Sequence, residues 1–273
     1  NTTLSGHPLV GVEIPDFGGS DPALGRRWTG LAATFPLSVG RFELANDSPM
    51  LTPEFKKTLT AAMQRRYRLI PYYYSLCFDA FFRCEPIMRP LFLADPSNPT
   101  LRGRDDAFML GTDLLVVPRL SEAAEDAACP LTGRWKKLDL GVSETPDLPA
   151  IYLRPGAILP LGPVGRDTGD GATDPITLVI NPDENGNAEG FLYEDDGDGY
   201  AFYRNQCRRI GYAAIRQGDA VLVRLSRLDG GSQLPKRKLE IRLLADTGEI
   251  RASGSEKGTV KIDLPAATPP SQP

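Results

Sequence analysis

Two short acidic segments are the most conspicuous candidates for metal chemistry in this sequence. Residues 183–187 (DENGN) and 194–199 (EDDGDG) both combine carboxylates with glycines, as calcium-binding loops do. Neither segment has the glycine and the terminal glutamate at the positions that the calcium-loop pattern requires. Asp and Gly in these arrangements also form the tight turns of β-hairpins. We therefore predict a turn at each segment rather than a calcium site.

Histidine and cysteine chemistry is limited. The chain has one histidine, His7, with no cysteine or carboxylate cluster beside it, so we predict a structural residue and no histidine-dependent triad. The four cysteines, Cys77, Cys84, Cys129 and Cys207, lack metal-type spacing. Cys77 and Cys84 lie about 10 Å apart along a predicted helix, too far for a disulfide. We predict reduced thiols, which favours a reducing compartment such as the cytoplasm or plastid.

Composition narrows the class of partner. The 273 residues carry a formal net charge of -4, and 41% are hydrophobic. Nucleic acid requires a basic surface, and a membrane helix requires about eighteen consecutive apolar residues, so we predict neither partner. A polar or neutral small molecule fits this balance better.

The elements that would position a site alternate between strand and helix near the start of the chain. Residues 8–14 form a predicted strand that ends in the turn signal PDFGG, and a helix over 24–35 precedes a second strand over 37–42. This alternation is typical of parallel α/β architecture. Two parallel strands cannot bury both faces or satisfy their edges. We therefore expect the remaining strands to come from elsewhere.

A long helix is predicted next, with Thr52 as its N-cap and Pro53 in its first turn. Its apolar residues recur every three to four positions as far as Phe81. Pro71 predicts a kink or a restart within it. We expect Arg65-Arg66 on a solvated face, and Tyr72-Tyr73-Tyr74 in core packing rather than sugar stacking.

After Pro86 the pattern changes to short strands between turns rich in Pro, Gly and Asp, which is typical of antiparallel sandwiches. Residues 164–174 indicate a linker or long loop, and a second β unit follows from Thr177. Lys236-Arg237-Lys238 is expected to be solvated. The residues after Leu264 are expected to be disordered.

Several segments, in this order, resemble family 31 glycoside hydrolases. The segments that carry the resemblance are LSGHPLVG (4–11), FGG (17–19), RRYRLIPY (65–72), PIMRPLF (86–92), LLVVP (114–118), GRW (133–135), LRPGAILP (153–160) and LYEDDG (192–197). Each motif alone is weak, but together they span the chain to about residue 215. The region from 135 to 161 is most similar to the plant-type branch that acts on heteroglycans.

The resemblance implies a multidomain protein of the α/β plus all-β class. Residues 1–85 would supply the last two βα units of a (β/α)8 barrel. Residues 86–163 and 164–264 would form proximal and distal antiparallel β-sandwiches, and 265–273 a disordered tail.

The resemblance also implies retaining, exo-acting hydrolysis of α-glucosidic bonds in an α-glucan or heteroglycan, with no cofactor. Such chemistry uses a nucleophilic carboxylate and an acid/base carboxylate about 5 Å apart. In this family both precede the strand with which the chain opens. We therefore expect the catalytic pair in a missing N-terminal barrel portion, of the same protein or of a companion chain, and no catalytic residue here.

Four residues are candidates for contacting substrate on this resemblance: Glu13, Asp16, Phe17 and Arg41. Glu13 stands where the family usually has an aspartate, and Asp16 where it usually has glycine. Arg41 occupies the position of a glucose-binding histidine, and Val39 that of an arginine. An arginine there is larger and always cationic. This leaves two hypotheses: an active enzyme with altered substrate preference, or a catalytically lapsed homologue acting as a carbohydrate-binding or structural scaffold.

Overall fold

The computed structural model describes residues 2–14, 21–40, 52–120, 128–165 and 175–265. These residues form two compact units. The first comprises the described residues up to Arg154, together with 164–165. The second comprises 155–163 and the described residues from 175 onward. The residues of the expected linker from 166 on, and those of the expected tail from 266 on, lie outside the described ranges.

The first unit opens with the predicted alternation of strand and helix. Strand β1 (Gly11–Ile14), helix α1 (Pro22–Ala32), strand β2 (Leu37–Gly40) and helix α2 (Pro53–Arg83) follow in order. β1 and β2 pair in parallel, and they form a sheet of only these two strands among the described residues. Parallel sheets are normally covered on both faces and flanked by further strands. This two-stranded sheet therefore lacks, among the described residues, the flanking strands that a parallel sheet normally has.

Helix α2 begins where the sequence predicts, after Thr52, whereas α1 begins at Pro22, ahead of the predicted start at residue 24. The Asp21 side chain accepts a hydrogen bond from the Leu24 amide, and Thr52 Oγ1 accepts one from the Phe55 amide at 3.2 Å. A proline follows each cap, where its missing N–H has no intrahelical partner to lose. The sequence predicts a kink or a restart at Pro71. Helix α2 does not restart there and continues through Pro71 to Arg83.

The arginine pair within α2 is not solvated as predicted. Arg65 is 8% exposed; its guanidinium pairs with the Glu144 carboxylate and donates to the Pro149 carbonyl at 2.8 Å. Tyr72 and Tyr73 lie in the core, as predicted, whereas Tyr74 is 38% exposed. Short basic runs are solvated by default, and the prediction failed here because the partners of Arg65 lie 79 and 84 residues away along the chain.

A five-stranded antiparallel sheet completes the first unit. Its strands are β3 (Met88–Arg89), β4 (Phe108–Leu110), β5 (Leu114–Val117), β6 (Lys136–Lys137) and β7 (Ala150–Leu153), in the order β3-β4-β5-β7-β6. All four residues of β5 are buried. Gly111, at φ +62°, allows the chain to turn against α2: a Cβ there would lie 2.3 Å from the Tyr72 hydroxyl. The Tyr72 hydroxyl donates to the Leu110 carbonyl at 2.9 Å and ties helix to sheet.

The second unit is one eight-stranded sheet. Its strands are β8 (Ala157–Leu161), β9 (Ile176–Asn181), β10 (Ala188–Glu194), β11 (Arg208–Gln217), β12 (Ala220–Asp229), β13 (Lys238–Ala245), β14 (Gly248–Ser255) and β15 (Val260–Asp263). The order is β14-β13-β9-β8-β10-β11-β12-β15, and contacts between the terminal strands make it nearly closed and barrel-like. It differs from the expected antiparallel sandwich because the β8–β10 and β9–β13 pairs are parallel.

Strand β8 hydrogen-bonds to β9 and β10 and so lies in the eight-stranded sheet. All five of its residues are buried, so it needs strand partners on both edges. Gly190 permits the close approach of β10, since a Cβ there would lie 2.1 Å from the Ile158 carbonyl oxygen.

In the second basic run Lys236 and Lys238 are exposed, as predicted, but Arg237 is not. Arg237 is 6% exposed and donates to Glu194 at 2.6 Å and to Glu256 at 2.7 Å. The Tyr212 hydroxyl donates to the same Glu256 carboxylate. Burial of one guanidinium is tolerated because two carboxylates compensate its charge. The basic run alone carries no sign of these distant partners.

Candidate functional site

The candidate site is the edge at which β1 and β2 both end. In the parallel register Glu13 lies opposite Val39, and Ile14 opposite Gly40. Because parallel strands bring their carboxyl ends to the same edge, these residues share one rim. Glu13 is exposed, and Val39 is 58% exposed. We call the carboxyl-terminal edge formed by residues 13–14 and 39–40 the strand rim.

Helix α1 holds the β1 side of the strand rim. The Trp28 indole Nε1 donates a hydrogen bond to the Glu13 carbonyl at 3.2 Å. Ile14, the next residue, is 3% exposed and anchors the end of the strand in the core. The Glu13 backbone is thus fixed while its side chain faces outward. A carboxylate so placed can accept hydrogen bonds from hydroxyl groups.

Helix α2 holds the β2 side through the turn at residues 33–36. The Arg66 guanidinium donates to the carbonyls of Ala33 at 3.0 Å, Phe35 at 2.6 Å and Pro36 at 2.8 Å. One fork of cationic donors thus satisfies three turn carbonyls together. Strand β2 begins at the next residue, so Arg66 sets where the strand starts.

Tyr73 reinforces this turn. Its hydroxyl donates to the Thr34 carbonyl at 2.8 Å, and Arg66 lies over its ring, 5.3 Å from the centroid. Burial raises the pKa of Tyr73 well above its ordinary value, although the nearby Arg66 charge opposes the shift. The phenol therefore stays protonated and remains a donor.

A third anchor joins the two helices to the segment before β7. The Asp147 carboxylate accepts from Arg26 Nε at 2.9 Å and from Thr58 Oγ1 at 3.1 Å. Helix α1 passes close to this segment at Gly30, where a Cβ would lie 2.9 Å from the Asp147 carbonyl oxygen. Since α1 and α2 carry Trp28 and Arg66, Asp147 acts on the strand rim indirectly.

Of the four residues predicted to contact substrate, the structure places only Glu13. Asp16, Phe17 and Arg41 lie outside the described residues. Trp28, Arg66 and Tyr73, which position the strand rim, are not among the residues predicted from the sequence. The available signal was the spacing of Arg66 and Tyr73, two turns apart on one face of α2.

The acidic segments form turns, as predicted. Asp183 Oδ1 accepts from the amides of Asn185 at 2.9 Å and Asn187 at 2.8 Å, closing the turn between β9 and β10. Asp195 Oδ1 accepts from the Gly197 amide at 2.9 Å. Across the described ranges, no three or more His, Cys, Asp or Glu side chains come together as a metal site would require.

The four cysteines and the single histidine are not among the residues that form the strand rim. All four cysteines are free thiols, as predicted. Burial raises the pKa of Cys77 and Cys129, which makes their reactive thiolate forms scarcer. His7 is exposed. Among the described residues, no helix is both long and apolar enough to span a membrane.

Two family models match the chain and together cover more than half of it. Residues 1–76 match the TIM-barrel domain of glycosyl hydrolases family 31, and residues 84–159 match the C-terminal domain of the same family. The chain belongs to glycosyl hydrolase family 31. In this family context β1, α1, β2 and α2 are the end of a TIM barrel, and the strand rim is part of its carboxyl-terminal edge.

Curated relatives extend the match along the chain. An alpha-glucosidase of Hordeum vulgare is 30% identical over 96% of this chain, and a probable glucan 1,3-alpha-glucosidase of Oryza sativa subsp. japonica is 32% identical over 73%. The chain spans 33% of the barley relative's length and 24% of the rice relative's length. It therefore corresponds to about a third or less of these proteins.

Solved structures agree on the fold. The family 31 alpha-glucosidase of Bacteroides thetaiotaomicron superposes with a TM-score of 0.74 at 32% identity, covering 84% of this chain and 39% of that one. The family 31 alpha-xylosidase of Xanthomonas citri gives a TM-score of 0.69 at 23% identity, covering 89% of this chain and 29% of that one. At the latter identity the likeness concerns the fold alone.

Proposed function

We propose that this chain is the C-terminal part of a retaining, exo-acting α-glucosidase that hydrolyses α-glucosidic bonds in oligo- or polysaccharides. The observation that carries the proposal is the parallel pair β1–β2, which ends in an exposed carboxylate, within a family 31 barrel domain. Barrel enzymes place their substrate sites at this edge. The alpha-glucosidase names of the barley and Bacteroides relatives support the choice of bond.

We propose different roles for the upstream barrel portion and for this chain. The nucleophile and the acid/base carboxylate belong to an upstream barrel portion, and this chain contributes Glu13 to the substrate-binding rim. Asp16, Phe17 and Arg41 are proposed to line the same rim on family resemblance. Leu37 is 48% exposed and Val39 is 58% exposed. These aliphatic side chains of the small sheet support the proposal that further barrel strands from an upstream portion pack against it.

The domain limits proposed from the sequence are a barrel end at 1–85 and later β domains at 86–163 and 164–264, except that residues 155–163, which contain β8, are assigned to the last domain because β8 pairs with β9 and β10. The substrate class within the family is proposed to be an α-glucan or a plant-type heteroglycan. The rice and barley relatives support that branch. The exposed carboxylate of Glu13 suits a neutral polyhydroxyl ligand, whose hydroxyl groups can donate hydrogen bonds to it.

The test is turnover by the full natural polypeptide on maltose and on a chromogenic α-glucoside. The product anomer is followed by NMR before mutarotation, and a retaining enzyme releases α-glucose first. Glu13→Gln should lower kcat/KM about tenfold, because a charge-assisted hydrogen bond to substrate becomes a neutral one. Glu189→Gln, at an exposed position of β10, is the matched control and should leave kcat/KM unchanged. Release of β-glucose first would refute the retaining mechanism.

One observation favours the second candidate, a lapsed homologue serving as scaffold. Val39 puts an exposed aliphatic side chain directly opposite Glu13, where the family resemblance implies an arginine. An aliphatic group cannot donate to sugar hydroxyls. Under this hypothesis the folded polypeptide binds glucose or maltose in calorimetry but hydrolyses neither maltose nor the chromogenic α-glucoside. Turnover that is abolished by mutating an upstream carboxylate would exclude the lapsed homologue.

A further inference from the structure

An exposed group of aromatic rings lies between β10 and β11 in the second unit. Tyr200 is 76% exposed and Tyr203 is 64% exposed, and Phe202 lies between them in sequence. The ring centroids of Phe202 and Tyr203 are 4.4 Å apart and stacked, and those of Tyr200 and Tyr203 are 6.2 Å apart at 30°. We call Tyr200, Phe202 and Tyr203 the aromatic platform. Exposed clusters of large apolar groups mark binding surfaces.

The backbone beneath the aromatic platform is well anchored. Tyr200 is the N-cap of a short 3-10 helix, Ala201–Arg204, which carries Phe202 and Tyr203 and in which Ala201 is buried. The Tyr203 amide donates to the Tyr200 carbonyl at 3.2 Å, and the Asn205 amide donates to that of Phe202 at 2.9 Å. Asn205 then closes the turn at φ +63°. The two tyrosines are therefore held outward by a fixed backbone, so little ordering cost opposes binding.

Carboxylates border the aromatic platform on its N-terminal side. Asp195 is fixed by the Gly197 amide at 2.9 Å and the Tyr193 hydroxyl at 2.7 Å. Asp196 and Asp198 are exposed between that residue and Tyr200. The segment thus combines flat apolar faces with outward hydrogen-bond acceptors.

This combination selects a neutral polyhydroxyl ligand. The face of an aromatic ring carries partial negative charge and attracts the polarised C–H groups on the apolar face of a pyranose. Neighbouring carboxylates accept hydrogen bonds from sugar hydroxyls, and they repel nucleic acid and anionic lipid. We propose that the aromatic platform binds a chain of an α-glucan, with two successive sugar rings lying on Tyr200 and Tyr203. The choice of an α-glucan among glycans rests on the proposed function.

A covering protein segment fits this surface less well. The most exposed large side chains of β2 in the first unit, Leu37 and Val39, are aliphatic, as expected of a surface that packs against further strands. The aromatic platform instead carries two phenol hydroxyls and adjoins exposed carboxylates. Charged residues are depleted from the cores of protein interfaces.

The experiment is affinity electrophoresis of the full natural polypeptide in native gels that contain glycogen, with gels containing a soluble β-glucan in parallel. The test variant is Tyr200→Ala/Tyr203→Ala. The matched control is Phe81→Ala/Phe82→Ala, which removes two rings that are 58% and 51% exposed on α2. Tyr200→Trp/Tyr203→Trp keeps the flat faces and tests whether ring stacking is the cause. Thermal unfolding establishes that each variant is folded.

We expect the alanine double variant to bind glycogen about tenfold more weakly, since it can no longer stack two sugar rings. The tryptophan and Phe81/Phe82 variants should migrate as the unmodified protein does. The KM for glycogen should rise in the alanine variant while kcat/KM for maltose stays unchanged. Unaltered retention of the alanine variant, or retention on β-glucan alone, would overturn the proposal. So would failure of a tyrosine-specific nitrating reagent to label Tyr200 and Tyr203, because a covering segment would then occupy the aromatic platform.

The two proposals fail separately. If the polypeptide turns over no α-glucoside but retains tyrosine-dependent binding to glycogen, the proposed hydrolase activity is wrong and the proposal that the aromatic platform binds glucan is supported. If it hydrolyses maltose and the alanine variant is retained normally by glycogen, only the proposal that the aromatic platform binds glucan is wrong.

Discussion

Arg66 provides the sharpest test of how α2 positions the strand rim. We predict that Arg66→Met lowers the free energy of unfolding of the first unit and loosens the turn before β2. Methionine keeps the apolar stem and good helix propensity, so the change removes the guanidinium and little else. Three turn carbonyls then lose their cationic donors.

The magnitude follows from the hydrogen bonds and the ring interaction that the substitution removes. A hydrogen bond from a charged donor contributes about 1.5–3 kcal/mol when buried, and less where water can replace the donor. Arg66 is half-buried, so we assign about 1 kcal/mol to each of three bonds. The cation–π interaction with Tyr73 adds about 0.5 kcal/mol. The sum is about 3.5 kcal/mol, a large fraction of the stability of a typical domain.

The assay is urea unfolding combined with amide hydrogen exchange of the 273-residue chain. Exchange should accelerate at Thr34 and Phe35, whose amides bond to the carbonyls of Leu31 and Ala32. Arg83→Met, on the last turn of the same helix with 62% side-chain exposure, is the matched control and should cost at most about 0.5 kcal/mol. Arg66→Lys should recover less than half of the loss, because an ammonium cannot span three carbonyls as a fork does.

The reasoning would be refuted by Arg66→Met and Arg83→Met having equal effects on stability, with unchanged exchange at residues 34–40. That result would mean that water replaces the guanidinium at no cost, and that the turn is held by other interactions.

Two further predictions concern the second unit. Gly190→Ala should destabilise it by about 3 kcal/mol in thermal unfolding, because a Cβ would collide with the Ile158 carbonyl, whereas Gly103→Ala, with nothing within 4 Å, should stay within about 0.5 kcal/mol. The hydrogen bond with Arg242 lowers the pKa of Glu249, so the folded state binds its proton less readily than the unfolded state. The stabilisation is therefore fully present above the unfolded pKa of about 4.3 and disappears as pH falls through the lower folded value. Glu249→Gln should consequently reduce the melting temperature at pH 7, and the deficit should shrink as the pH falls below about 4.3. A deficit of equal size at pH 7 and throughout the acid range would contradict this linkage.

Local chemistry made part of the fold predictable. Thr52 followed by Pro53 marked the start of α2, and the apolar stripe marked its length to within a few residues. The turn at 183–187 followed from Asp and Gly placement, as the two amide bonds to Asp183 show. Each of these features depends on atoms within a few residues of one another. They can therefore be predicted from the local sequence.

The failures share the opposite property. Arg65 and Arg237 were expected to be solvated, and each is buried by partners that lie 19 to 84 residues away. The parallel pairing of β8 with β10 likewise joins strands that are not consecutive in the sequence. No local pattern specifies such partners, and burial of a cation becomes favourable only once they are assembled.

The candidate site is intermediate between these cases. Family resemblance selected Glu13, and the register that sets it opposite Val39 gives it a geometric context. The hydrogen bonds that fix this geometry come from outside the strands: Trp28 binds the Glu13 carbonyl, and Arg66 binds the turn before β2. A four-residue strand has too few backbone bonds to hold its own end rigidly, so helix side chains must do so. For this reason the precision of the strand rim depends more on α1 and α2 than on the strands that carry its residues.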